Sequence, residues 1–263
     1  MTARVAPPPN VAASLARRVE RANALQLERT RAARGVGAPA VEVAGGLSVS
    51  HGARSPFSAA VGVGIGIPVT EDDVDRMEAH LGPGGGPVRI EVTPFTDPSL
   101  TEELGRRGYQ LERFFQVWVR SPSDDPPGAD VRPAAPADEG AWVELFSRAF
   151  LGAPTQSDAQ RDALRSMARA EGSVPWLAFQ DGIPVGVALS SAEGGVAWLS
   201  GAGVLPASRG RALQGALVRA RLAWAAARGC DVVASATEPG TSSQRTLERC
   251  GFRVAYPKAV LVH

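Results

Sequence analysis

Displacing the sequence by 143 residues lays Ser99, Leu104, Arg106, Gly108 and Tyr109 on Ser242, Leu247, Arg249, Gly251 and Phe252. The apolar runs on either side fall in step too, so the chain reads as one fold written twice. This constrains the architecture more than composition does, because whatever the first half builds the second must build again. The stretch "SPSDDPPGAD", Ser121 to Asp130, replaces hydrophobic periodicity with proline, glycine and short polar residues and marks the boundary. Two domains are therefore expected, 1–123 and 128–263.

The second half is the more legible. "VRPAAP" reads as a short strand. "DEGAWVELFSRAF" reads as a helix with Asp138 as cap, and "SDAQRDALRSMARAEG" as a second helix, capped by Ser157 and closed by Gly172. "PWLAFQDGIPVGVALSS" gives two strands around an Asp181-Gly182 hairpin turn, and "GVAWLSGAGV" a third. A long helix, the strand "CDVVASAT", the helix "SSQRTLERCGF" and the strand "RVAYPKAVLVH" follow. The order β-α-α-β-β-β-α-β-α-β specifies a mixed α/β fold of the α+β type. Upstream, "AVEVAG", "LSVSHG" and "SAAVGVGIGI" read as strands, followed by the helix "EDDVDRMEAHL", the strand "PVRIEV", the helix "SLTEELGRRG" and the strand "YQLERFFQVWVR". The N-terminal stretch continuing into "NALQLERTRAARG" is read as an ordinary helix.

A formal net charge of +1, with 21% charged and 44% hydrophobic residues, lacks the positive excess of a dedicated nucleic-acid binder. No segment has the roughly 20 apolar residues of a membrane span, and no secretory leader is evident, so a cytoplasmic protein is expected. Cys230 and Cys250 lack metal-ligand spacing, and His51, His80 and His263 are scattered without acidic or thiol companions; no metal is expected. Of the three histidines only His51 is kept as a possible cleft residue.

The chemistry concentrates in "GVLPASRGRALQGALVRARLAWAAARGCDVV", Gly203 to Val233: a strand, a turn around Arg209-Gly210-Arg211, then a helix with apolar residues at Leu213, Ala216, Leu217, Ala220, Trp224 and Ala227. A basic, glycine-containing turn at a helix N-terminus suits an anion, because the first turn presents unpaired N–H groups and the positive end of the helix dipole. At the matching place in the first half, "PVTEDDVDRMEAHL" offers Thr70 and Asp73 as a capping box, with Glu71 and Asp72 beside them; carboxylates there would repel a phosphate. Gly62, Gly64 and Gly66 precede that helix in an alternating strand pattern and are not read as a nucleotide fingerprint.

"VLPASRGRALQGAL" resembles the acyl-CoA-binding motif V-x-P-x-x-R-G-x-G-x-G-x-A-L of the GNAT superfamily of N-acetyltransferases, and Gly251-Phe252 resembles that family's closing helix-to-strand turn. The resemblance covers the second half and extends to the first only as a degenerate copy without a phosphate-binding loop, giving two GNAT-like mixed-sheet domains in tandem. It implies an acetyl-CoA-dependent enzyme acting on a small-molecule amine. The pyrophosphate would lie on the N–H groups of Gly210, Arg211, Ala212, Leu213, Gln214 and Gly215, with charge from Arg209 and Arg211, while Ala202, Gly203 and Val204 would pair with the pantetheine amides. Ala212 and Gln214 stand where the family often has glycine; alanine is expected to be a mild change in a helical conformation, and Gln214 keeps its backbone N–H.

The resemblance also implies an oxyanion donor among backbone N–H groups, assigned to Val204 or Leu205, and a tyrosine acid in the last helix, where this chain has Leu247. Tyr256 is either the substitute acid or a half-buried strand aromatic. Glu238 is either the base, acting directly or through water, or a solvated loop carboxylate. Ser200, Ser235 and Thr237 either line the acceptor pocket or are satisfied strand residues. The first half is expected to be a scaffold or one wall of the cleft, and the protein a monomer or homodimer. A non-catalytic acyl-CoA sensor is the alternative reading.

Overall fold

The first element is α1 (Pro9–Arg34), a helix of 26 residues in the computed structural model, which describes residues 9–53 and 55–263. The chain then passes through β1 (Val41–Val43), β2 (Gly46–Val49) and β3 (Ala59–Val61), which pair antiparallel in sequence. Next come α2 (Glu71–Leu81), β4 (Arg89–Val92), α3 (Pro98–Arg106) and β5 (Gln110–Arg120). β4 runs parallel to β3, with Ala60 opposite Ile90. α2 starts where the capping box dictates: Thr70 Oγ1 accepts from the Asp73 N–H at 3.2 Å, and the Asp73 carboxylate accepts from the Thr70 N–H at 3.0 Å. Its apolar side delivers Val74, Met77 and Leu81 to a core shared with Val43, Ala60, Ile90, Leu100 and Leu104.

After β5 the chain forms β6 (Val131–Pro133), α4 (Glu139–Phe146) prolonged by a π-helical turn Ser147–Leu151, α5 (Asp158–Arg169), and the meander β7 (Val174–Gln180), β8 (Ile183–Glu193) and β9 (Val196–Val204). It closes with α6 (Leu213–Ala227), β10 (Val232–Thr237), α7 (Ser242–Arg249) and β11 (Arg253–Val262). The β7–β8 turn has Asp181 at φ +52° and Gly182 at φ +75°, the left-handed pair a two-residue hairpin demands. Ser157 caps α5 by accepting from the Gln160 N–H.

Two compact units divide this chain: one holds the residues up to Arg31, Val36–Phe114 and Tyr256–His263, the other Ala32–Gly35 and Phe115–Ala255. In the first, β11 pairs antiparallel with β4, Leu261 opposite Ile90. In the second, the strand order is β6-β7-β8-β9-β10-β5, with β5 antiparallel to β10 from Gln116 to Arg120. The last strand of each half of the sequence thus contributes to the unit built by the other half, an arrangement that a cut at the 121–130 stretch does not anticipate.

Two local expectations are corrected. "SAAVGVGIGI" is a strand only over Ala59–Val61; Gly62, Gly64 and Gly66 have φ of +72°, +70° and +65°, so the alternating pattern is a run of left-handed turns that only glycine makes easily. Asp138 does not cap α4. Its carboxylate accepts from the Ala135 N–H at 2.9 Å and from Arg132 at 2.7 Å, closing a short 3-10 turn ahead of the helix.

Candidate functional site

In the second unit β9 and β10 run parallel from Val196 opposite Val232 to Leu199 opposite Ser235, and there the pairing stops. β10 continues to Thr237 while β9 turns away through Ser200–Val204, so these strands splay at their carboxyl ends. The cause is a bulge in β9, where the register to β8 shifts between Val187 and Leu189 and Gly201 takes φ +51°. Glycine is required there twice over, because a Cβ on Gly201 would sit 2.6 Å from the Phe146 ring. Two residues on, a Cβ at Gly203 would meet the Ala149 carbonyl at 2.7 Å, so the π-helical turn lies directly against this strand.

Beyond the bulge Gly186 faces Val204, and the Leu205 N–H donates to Val185 O at 2.9 Å. In antiparallel geometry that bond makes Gly186 and Val204 a non-hydrogen-bonded pair, with the Val204 backbone groups turned away from β8 toward the gap. The Val204 carbonyl accepts from Arg209 Nε at 3.3 Å. Leu205 is therefore unavailable as an oxyanion donor, which corrects one of the two backbone assignments; its N–H is a ladder donor.

Pro206–Ser208 form a 3-10 turn, Gly210 takes φ +79°, and Ala212 is the N-cap of α6 at φ +57°, ψ 6°. Arg209, Gly210, Arg211 and Ala212 are exposed, whereas Leu213 is buried and anchors the helix against Trp176, Val185 and Val204. No side chain caps α6 and its first turn carries no acid. The N–H groups of Leu213, Gln214 and Gly215 precede the first helical bond, from Ala216 to Ala212 O. The α2 start in the first unit is the opposite case: capped by Thr70 and Asp73, with Glu71, Asp72 and Asp73 in its first turn. There Arg17 also donates to Ile65 O at 3.2 Å, so α1 occupies the segment that follows β3.

Ala212 departs from expectation. It is left-handed rather than helical, a conformation that costs an L-residue about 1–2 kcal/mol. Ala212→Gly is therefore expected to stabilise the second unit by about 1 kcal/mol, raising the thermal midpoint by roughly 2–4 °C. Calorimetric melting checks this, and a lower midpoint would mean that the alanine methyl group packs favourably.

Glu238 is exposed immediately after β10, at the same carboxyl edge as the α6 loop, because β9 and β10 are parallel. Ser235 and Thr237 are buried and satisfied: Ser235 Oγ donates to Leu199 O at 2.8 Å, and Thr237 Oγ1 accepts from Trp118 Nε1 at 2.9 Å. Leu247 lies in the apolar core with Trp118, Val218 and Phe252.

The structure does not bring Tyr256 together with these residues in one unit. It belongs to the first, where it is buried, its hydroxyl donates to Glu20 Oε1 at 2.9 Å and its ring meets Phe95 edge-on. Burial, then the Glu20 charge, hold the phenol well above its usual range. Lys258, the sole lysine of the sequence, lies beside it with Nζ 3.0 Å from Glu20 Oε2 and 2.7 Å from Glu91 Oε2. Burial pulls the Lys258 ammonium down, but the two carboxylates outweigh it and the net shift is upward; burial raises Glu91. A rare residue type was the sequence signal for this cluster. His51 is buried in the first unit against Phe57, a packing position.

Sequence reading also missed Arg221, which sits in the apolar stripe of α6 four residues after Leu217 and is 2% exposed. The signal was a cation interrupting that stripe. Among the described residues no group of three or more His, Cys, Asp or Glu side chains is placed to hold a metal ion, and no helix is long and apolar enough to cross a membrane.

Residues 140–252 match the sequence model of the acetyltransferase (GNAT) family. No curated protein matches the chain. Among solved structures, a GCN5-related N-acetyltransferase from Kribbella flavida superposes with a TM-score of 0.67 at 18% identity, covering 96% of this chain and 95% of that one. A GCN5-related N-acetyltransferase from Sphaerobacter thermophilus gives a TM-score of 0.53 at 22% identity over 73% of this chain, which spans 64% of that protein's length. A tandem GNAT protein from the clavulanic acid biosynthesis pathway gives 0.53 at 15% identity, covering 73% of this chain and 67% of that one. At these identities the likeness is one of fold.

Proposed function

From the match of residues 140–252 to the acetyltransferase (GNAT) family model, we propose that the second unit binds acetyl-CoA at Arg209–Gly215 and transfers the acetyl group to the amine of a small molecule. The observation that carries the reading is a helix N-terminus with neither cap nor acid, reached through an arginine-glycine turn just where β9 has parted from β10. The N–H groups of Leu213, Gln214 and Gly215 hold the pyrophosphate, and Arg209 and Arg211 add charge. Ala202, Gly203 and Val204 offer strand edge to the pantetheine arm, Val204 through the groups turned away from β8. With that edge taken, the reacting carbonyl falls deeper along β9, at the Ser200–Gly201 bulge.

Acetyl-CoA supplies an activated thioester; this chain's residues orient it and manage protons. Glu238, at the carboxyl edge of β10, accepts the proton of the attacking amine directly or through water. Tyr256 holds Glu20 within the first unit and takes no part in transfer. That unit is a degenerate GNAT-like copy serving as a scaffold, its α2 start closed to phosphate by its own carboxylates.

Thiol release from acetyl-CoA, followed across a panel of small amines, tests the reading. At least one amine is expected to raise the rate. Glu238→Gln then lowers turnover by about 10²-fold or more with acetyl-CoA affinity unchanged, while Tyr256→Phe leaves turnover intact. Saturable binding with no amine-dependent release would make the protein an acyl-CoA-binding module.

A further inference from the structure

We propose that Arg221 is a positioning residue for the acyl group: it clamps the Ser200–Gly201 peptide of the β9 bulge, aims the Gly201 N–H at the thioester oxygen, and places an uncompensated positive charge beneath it. The proposal rests on the acyl-CoA reading of this same site.

Arg221 lies on the buried face of α6 with its guanidinium directed at the sheet. Nε donates to Leu217 O in its own helix at 2.9 Å, and one terminal nitrogen reaches Leu189 O at 3.4 Å and Ser200 O at 3.5 Å. Leu189 and Ser200 are register partners at the edge of the bulge, so one side chain ties both strands where β9 leaves its regular course. A trans peptide points its carbonyl and the following N–H in opposite directions. Fixing Ser200 O toward Arg221 therefore fixes the Gly201 N–H away from it, and the φ of +51° at Gly201 accommodates that peptide.

The electrostatics point the same way. No carboxylate lies within ion-pair distance of Arg221 among the described residues, although it is almost fully buried. Removing an unpaired ion from water carries a large desolvation penalty, and an apolar residue of similar volume would serve the core better. Burial draws the guanidinium down to about 10, so it remains charged at neutral pH. A fixed charge in a water-poor interior acts strongly on negative charge developing nearby, and it needs no reorganisation when the reaction occurs. Stability alone gives no reason for a cation here; a carbonyl that gains negative charge at the bulge does.

The test uses the full chain, acetyl-CoA labelled with ¹³C at the thioester carbonyl, and isotope-edited infrared difference spectra of the bound ligand. In the wild type the carbonyl band is expected below its position in free acetyl-CoA. In Arg221→Met it returns toward the free position and turnover falls by about 10²-fold, the size of losing one oxyanion donor, while affinity for CoA, which has no acyl group, is unchanged. Arg221→Lys keeps the charge without the two-carbonyl clamp and gives an intermediate band. Should Arg221→Met not fold, Arg221→Lys decides alone: a wild-type band and rate in that variant overturn the proposal, as they do in Arg221→Met. Failure of the wild type to bind CoA would refute the α6 loop as the cofactor site and the proposal with it, an outcome distinct from normal CoA binding with an unmoved carbonyl band.

Discussion

Arg209→Glu is expected to abolish acetyl-CoA binding, whereas Glu71→Gln and Asp72→Asn leave it unchanged. Arg209 stands at the mouth of an uncapped helix and donates to the Val204 carbonyl, so it bridges the strand edge and the turn proposed to hold the anion. Losing a charge-assisted hydrogen bond removes about 1.5–3 kcal/mol, and the carboxylate placed there adds repulsion against a phosphate, so affinity falls by two orders of magnitude or more. Arg209→Met separates these effects, retaining part of the affinity that Arg209→Glu loses. Glu71 and Asp72 occupy the start of α2, which Thr70 and Asp73 already close, and no binding energy resides there. Isothermal titration distinguishes the sets; equal losses from Arg209→Glu and from the α2 changes would mean that the anion is held elsewhere.

Lys258→Ala is expected to destabilise the first unit by about 3–5 kcal/mol, the penalty for leaving a buried charge without its partner. Glu20 and Lys258 are 0% and 2% exposed, and two carboxylates converge on the one ammonium. Removing the lysine leaves both carboxylates in the interior without their cation, while the Tyr256 hydroxyl still donates to Glu20. Urea unfolding followed by far-ultraviolet circular dichroism, together with the absorbance of Tyr109 and Tyr256, the two tyrosines of the sequence and both in the first unit, measures the loss. Replacing the cluster as a set, Glu20→Gln and Glu91→Gln together with Lys258→Met, should recover most of it, since a neutral buried group avoids the desolvation penalty. A Lys258→Ala protein as stable as the wild type would show that the two carboxylates are accommodated without their cation.

Much of this architecture can be read from local chemistry. α2 follows from a capping box and an apolar stripe, and its observed limits, Glu71–Leu81, are those of the sequence reading. The Asp181-Gly182 turn declares itself because two consecutive positive φ values tolerate few residues. The α6 loop is visible because glycine, arginine and a missing cap act over a few residues. What escaped depends on partners far away in sequence. Nothing in "RVAYPKAVLVH" says that its last residues pair with β4, because strand patterning sets which face is buried and not which neighbour is chosen. Tyr256 was read beside the chemistry for that reason, and its bond to Glu20 links positions 236 residues apart. Gly62, Gly64 and Gly66 mimic an alternating strand because glycine serves both conformations, and Ala212 hides a left-handed backbone that its side chain does not advertise.

Calorimetric titration of the purified chain with acetyl-CoA, and separately with CoA, tests the central claim most directly. The account predicts saturable binding of both at one site per chain, because α6 offers an uncapped, acid-free N-terminus beside an open strand edge, while α2 is closed. Two equivalent sites per chain would contradict the asymmetry between the units, and no binding of either compound would contradict the assignment of Arg209–Gly215 as the cofactor loop.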